Sequence, residues 1–293
     1  MLRWRILLGA LLIAALVGLL WLDAVTIPPG TWLFFLALAV GLAAAHEVAT
    51  LLAAAGYRPL RGVIYGGTVL VISSNAIPLF FWRVPDDWPL ARLGWPLLAF
   101  AATVLAALVG EMRRYRRPGT VMVNLALATL AVTYVGVLLS FALQLRVLGG
   151  RESGMTAFVA LVVVVKLGDI GAYSVGRLVG RHKMAPSISP GKTIEGAAGA
   201  VAFGCLGAWL SLVWLPLWSG SSAPQPMRVW LAFGLIVGGA GILGDLAESL
   251  FKRDLGSKDS SSWLPGFGGV LDLLDSILFA APVAYLCWLI WVV

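Results

Sequence analysis

The chain has 293 residues, of which 60% are hydrophobic and only 12% charged, and its mean hydropathy is +0.93. That composition excludes a soluble domain of this size and points to an integral membrane protein. The formal charge of +7 would suggest nucleic acid in a soluble protein; here it is absorbed by the distribution of Lys and Arg between loops, so no nucleic-acid partner is expected.

A helix satisfies its own backbone hydrogen bonds in hydrocarbon and needs about 20 apolar residues to cross it. Taken in chain order, the apolar runs predict nine transmembrane helices: Ile6 to Leu22, Thr31 to Leu52, Val63 to Trp82, Leu93 to Met112, Val121 to Leu143, Thr156 to Leu178, Ile194 to Trp218, Val229 to Leu250 and Val270 to Val293. The first run follows Arg3 and Arg5 and resembles a signal peptide, but Leu22 and Ala24 make a poor cleavage site, so a retained helix is expected. The expected fold is therefore all-α and polytopic, with residues 1–150 forming spans one to five and residues 151–293 forming a catalytic half of spans six to nine.

Basic residues set the orientation. Arg3, Arg5, Arg58, Arg61, the Arg113 to Arg117 cluster, Arg177, Arg181, Lys183, Lys192, Lys252, Arg253 and Lys258 fall on one side, against Arg83, Arg92, Arg146, Arg151 and Arg228 on the other. The chain reads as N-inside and C-outside, an integral protein of the plasma (inner) membrane. Cys205 and Cys287 sit inside apolar runs without metal-ligand spacing and read as packing residues.

Charge inside spans is costly, roughly 2.5 to 3.5 kcal/mol per group on insertion scales, and is by default a sign of function. Glu47, Lys166, Asp169, Glu195, Asp245, Glu248, Asp272 and Asp275 are such groups, and the orientation above puts them all in the cytoplasmic half of the membrane. Asp245, Glu248, Ser249 and Lys252 follow at i, i+3, i+4 and i+7, and Asp272, Asp275 and Ser276 repeat the pattern on the last span. Carboxylates so spaced suit a hard divalent cation shared with substrate phosphates, and nearby lysines suit the phosphates themselves. Buried ion pairs that only fix packing, such as Lys166 with Asp169, are the competing reading of any one pair.

The glycines of "PGFGG", Gly266, Gly268 and Gly269, permit close approach to a ligand at the start of the last span, where the helix dipole favours an anion. "GKT" at Gly191 to Thr193 is no Walker motif, because Pro186 stands where the first glycine belongs and no strand precedes it. The segment "SPGKTIEG" is read instead as a polar, turn-rich entry to span seven.

From Asp169 onward the chain resembles the phosphatidate cytidylyltransferases, also called CDP-diacylglycerol synthases. Their signature runs Ser, any, apolar, Lys-Arg, four residues, Lys-Asp, a spacer, His-Gly-Gly, two residues, then Asp-Arg-apolar-Asp. This chain supplies Ser249, Lys252, Arg253, Lys258, Asp259, Gly268, Gly269, Asp272 and Asp275 at matching intervals, and departs at Phe267 for His and Leu273 for Arg. "GDLAES" around Asp245 and the segment from Asp169 to Gly196 resemble the family's other recurrent stretches.

The resemblance implies transfer of a cytidylyl group from CTP to phosphatidic acid with Mg²⁺, and a second cation as a further expectation. Asp245 and Asp272 are the first choice as metal ligands, Asp275 the second, with Glu248 supporting and Asp259 joining from the loop. Lys252, Arg253 and Lys258 are expected to neutralise the triphosphate, and Ser189, Lys192, Thr193, Glu195, Ser249, Gly268 and Gly269 to hold substrate. The partners so implied are CTP, phosphatidic acid and membrane lipid, and small-residue runs such as "GGAGILG" admit a homodimer. Alternatives from the sequence are a CTP-dependent enzyme on another lipid, such as a polyprenol kinase or ether-lipid CDP synthase, and an ion-coupled transporter.

Overall fold

A computed structural model of the chain describes residues 2–81, 93–116, 118–219, 223–261, 263 and 268–292. Among the described residues, nine helices are long and apolar enough to cross a membrane, one for each expected span. They are α1 (Leu2–Val25), α2 (Thr31–Ala54), α3 (Arg61–Phe81), α4 (Gly94–Arg114), α5 (Val121–Val147), α6 (Arg151–Val179), α7 (Ile194–Leu217), α8 (Met227–Asp254) and α9 (Val270–Trp291). The polar entry to span seven folds into a small antiparallel hairpin, β1 (Lys183–Ala185) and β2 (Ser189–Thr193), with Lys183 opposite Thr193 and Ala185 opposite Ser189.

Several helices run past the apolar windows, for local reasons. Gly149 and Gly150, with φ of 74° and 91°, make the turn that ends α5 and starts α6 at Arg151 rather than Thr156. At the far end of α8, Lys252 and Arg253 occupy the last helical turn instead of the loop, where they complement the negative end of the helix dipole. The α-helical ladder of α3 gives way to a π-helical turn at Ile77–Phe81. Pro78 lies there, lacking the N–H that would bond the Ser74 carbonyl.

The chain divides into two compact units, residues Met1–Gln144 with Leu255–Leu273, and Leu145–Asp254 with Leu274–Val293. In the first, Ala45, Ala49, Leu52, Ile64, Ala128 and Ala131 form a core against which Leu255 packs, so the segment after α8 is held by the helices of this unit. Among its buried polar groups, Asp23 and Asn75 are paired. Asp23 accepts from the amides of Gly30 (3.0 Å), Trp32 (2.9 Å) and Leu33 (3.4 Å), capping α2. Asn75 donates to the Val71 and Ile72 carbonyls and to Ser140, and accepts from Gln144 at 2.8 Å.

In the second unit glycines let backbones meet. A Cβ added at Gly199 of α7 would lie 2.7 Å from the Gly171 carbonyl of α6, and one at Gly204 would lie 3.2 Å from the Gly234 carbonyl of α8. Gly244 of α8 likewise sits against the Asp275 and Ser276 backbone of α9. These contacts bring the polar faces of α6, α8 and α9 to one place.

Candidate active site

In the second unit, the polar face of α8 carries the expected charges. Asp245 Oδ2 meets Lys192 Nζ of β2 at 2.8 Å, with the Asp245 side chain 42% exposed. One turn on, Glu248 is buried and pairs at i,i+4 with Lys252, Nζ to Oε2 2.5 Å. Lys166 and Asp169 of α6 pair at 3.1 Å, the partnership foreseen as a packing alternative. Asp275, buried on α9, accepts from the Ser276 amide at 2.5 Å. Asp245, Asp169 and Asp275 lie within electrostatic reach of one another, together with Lys166 and Lys192. Three acidic and two basic side chains from α6, β2, α8 and α9 therefore share one locality.

The hairpin that delivers Lys192 is held by two residues expected to touch substrate. Glu195 accepts from the amides of Arg181 (3.1 Å) and His182 (3.2 Å) and pairs with His182 Nδ1 at 2.6 Å. Thr193 Oγ1 accepts from the Gly196 amide at 3.1 Å and is the N-cap of α7. Ser189 pairs with Ala185 in the hairpin, and Arg253 Nε donates to the neighbouring Ile188 carbonyl at 3.4 Å. Ser249 is half-buried on α8 beside Glu248.

In the first unit the charges close on themselves. Glu47 of α2, 1% exposed, faces four donor groups: Ser260 Oγ (2.8 Å), Ser261 Oγ (2.8 Å), and the amides of Val270 (2.9 Å) and Leu271 (2.8 Å). Asp272 Oδ2 accepts from the amides of Ser260 (3.0 Å) and Gly269 (2.7 Å) and from Ser260 Oγ (2.6 Å). The Asp272 bond to Gly269, the residue preceding α9, is the carboxylate half of a capping box. Hence the first amides of α9, whose dipole was expected to favour a bound anion, are engaged by Glu47 and Asp272. Gly268 adopts φ of 88°, which Gly tolerates without strain. Lys258 and Asp259 are exposed on the preceding loop.

Asp245 and Asp272 thus belong to different units, each with its own partners. Sequence reasoning passed over Ser260 and Ser261 and gave Glu47 no role. No local spacing links these residues, and the only signal was the presence of Glu47 in an apolar run. Leu273 is half-buried on α9, and Phe267 lies outside the described residues. A cavity of about 340 Å³ in the second unit, lined by Glu152, Ser153, Thr156 and Trp288 among others, includes none of the expected site residues.

Among the described residues no three His, Cys, Asp or Glu side chains converge to hold a metal alone. The donors present are oxygens, the set a hard cation takes, and Mg²⁺ in particular is usually bound by one or two carboxylates plus substrate phosphates. Asp245 and Asp275 fit that requirement.

Comparison with known proteins covers nearly the whole chain. The cytidylyltransferase family matches residues 3–291. A Staphylococcus aureus phosphatidate cytidylyltransferase is 37% identical over 64% of this chain and 66% of its own length, so the match spans about two thirds of that relative. One from Staphylococcus epidermidis is 33% identical over 71% of this chain and 75% of its own. One from Mycobacterium bovis is 29% identical over 96% and 88%. With carboxylate and lysine faces in place and a family match from one end to the other, the chain belongs to the cytidylyltransferase family.

Proposed function

We propose that the protein transfers a cytidylyl group from CTP to phosphatidic acid, giving CDP-diacylglycerol and pyrophosphate. The observation that carries this reading is the family match across residues 3–291 together with relatives that are phosphatidate cytidylyltransferases. The paired acids and bases of the second unit supply suitable chemistry.

A lipid phosphate is already an anion near pH 7, so its oxygen can attack the α-phosphorus of CTP without a strong general base. The new P–O bond forms as the bond from the α-phosphorus to the bridging oxygen breaks, and that electron pair leaves with pyrophosphate. Catalysis of such a step is mainly positioning and charge neutralisation. Lys192, held by Asp245, is suited to a phosphate oxygen. Lys252 and Arg253 lie in the last turn of α8, and Lys258 and Asp259 are exposed signature charges on the loop of the first unit. Mg²⁺, when bound, would neutralise the triphosphate; Asp245 and Asp275 are the residues of the second unit to hold it, with Glu248 in support, and the signature motif assigns Asp272 the same chemistry. A second cation is compatible with this donor set.

The orientation that fits the basic residues is N-inside and C-outside in the plasma membrane. It presents the site to the cytoplasm, where CTP is available, while phosphatidic acid reaches it from the bilayer. The test is direct: purified protein in detergent with CTP, phosphatidic acid and Mg²⁺ is expected to release pyrophosphate and form a CMP-bearing lipid. Product with a polyprenol or ether lipid, but none with phosphatidic acid, would overturn the substrate assignment.

A further inference from the structure

We propose that Glu47 is a positioning residue for cytidylyl transfer: by gripping Ser260, Ser261 and the first amides of α9, it sets where these groups lie and thereby the aim of Asp272. This rests on the cytidylyltransferase reading above. The residue lies on α2, more than 200 positions before its partners, and no motif of the family resemblance includes it.

The geometry is that of a two-sided clasp. Glu47 Oε1 takes Ser261 Oγ and the Val270 amide, while Oε2 takes Ser260 Oγ and the Leu271 amide. Each oxygen therefore ties the serine loop to the start of α9. Ser260 is the node between two carboxylates, since its hydroxyl lies 2.8 Å from Glu47 Oε2 and 2.6 Å from Asp272 Oδ2, and its single proton serves one of them at a time. The Ser260 amide adds a bond to Asp272. Moving Glu47 thus moves Ser260, and moving Ser260 removes two of the three bonds on Asp272, leaving that from the Gly269 amide.

Two features make the clasp specific to the residues present. A Cβ at Gly269 would collide with Ser260 Oγ and the Glu47 carboxylate, so closure requires glycine there. Both Glu47 oxygens act as acceptors. In Glu47→Gln one becomes an NH₂ donor facing either the Val270 or the Leu271 N–H, whichever way the amide turns.

The full-length protein in detergent is the material for the test. Glu47→Gln is expected to raise amide exchange at least 10-fold at Ser260, Val270 and Leu271 without substrate, and to lower kcat per folded protein at least 10-fold while the KM for phosphatidic acid stays within 2-fold. Ser260→Ala should lose kcat to a similar degree, and the double variant no more than the worse single one, because both open the same clasp. Ser261→Ala removes only one of the contacts on Glu47 and should lose a smaller factor, which keeps the test alive where Glu47→Gln fails to fold.

Wild-type kcat in folded Glu47→Gln, or losses that multiply in the double variant, would overturn the positioning role. Exchange is read without turnover, so it reports on the clasp even where the wild type lacks activity with CTP and phosphatidic acid, a result that would overturn the functional reading instead.

Discussion

Gly244→Ala tests whether helix contact sets the catalytic geometry. A methyl at this position would lie 2.7 Å from Phe279 Cβ, 2.8 Å from the Asp275 carbonyl oxygen and 3.0 Å from Ser276 Cα. Two of these are backbone atoms, which a rotamer change cannot move aside. Restoring ordinary contact, from 2.8 to 3.4 Å at the carbonyl, separates α8 from α9 by about 0.6 Å. That shift acts where Asp245 and Asp275 share a field, beside the altered residue. Overpacking of this kind costs about 1–3 kcal/mol, and since a 1 Å misplacement can cost about 10² in rate, roughly a 10-fold fall in kcat/KM is expected. The control is Gly239→Ala, on the same helix with no heavy atom within 4 Å of the added methyl. Thermal unfolding in detergent and transfer of labelled CMP to lipid are the assays. A Gly244→Ala protein as stable and as active as the Gly239→Ala control would refute the claim that this contact sets the site.

Asp245→Asn breaks the charge pair with Lys192 and removes a carboxylate from the cluster, so CTP-dependent product should fall by about 10²–10³ while the protein remains membrane-inserted; substantial turnover would sink the role of Asp245. Thr193→Ala deletes the α7 N-cap and should cost about 1 kcal/mol of stability, with Thr193→Ser largely restoring it; equal melting of all three proteins would show that the cap is immaterial. Chelation with EDTA should stop turnover and added Mg²⁺ restore it, whereas undiminished turnover in EDTA would end the magnesium reading. Cysteines placed at Lys258 and at Glu152 should label with an impermeant thiol reagent from the cytoplasmic and the outer face respectively, and labelling of Lys258→Cys from outside would reverse the proposed orientation.

What the sequence made legible depended on whether the signal was local. Apolar runs long enough to span a bilayer are contiguous, so each of the nine expected spans corresponds to a helix. The i, i+3, i+4 spacing on α8 is equally local and correctly predicted that Asp245, Glu248 and Lys252 share a face. Helix ends were less legible because they turn on competing local terms: the Gly149–Gly150 turn opened α6 early, and Lys252 with Arg253 favoured a longer α8. The hairpin was missed because "SPGKT" offers turn residues and little alternation, and its register is supported by Glu195 bonding to Arg181 and His182.

Contacts between distant segments were the least visible. The first span was expected to end at Leu22, but nothing local showed that the carboxylate of Asp23 caps the next helix, and Glu111, buried beside Arg114 at 3.1 Å, was overlooked within its apolar run. Glu47 shows the limit most clearly. Intramembrane cost marked it as a residue with a purpose, but only the folded chain reveals its partners. Four donors then explain how an apolar helix tolerates the charge, because charge-assisted bonds replace the lost hydration. The same bonds explain why residues 255–273 pack with the first unit although their signature belongs to the second half of the sequence.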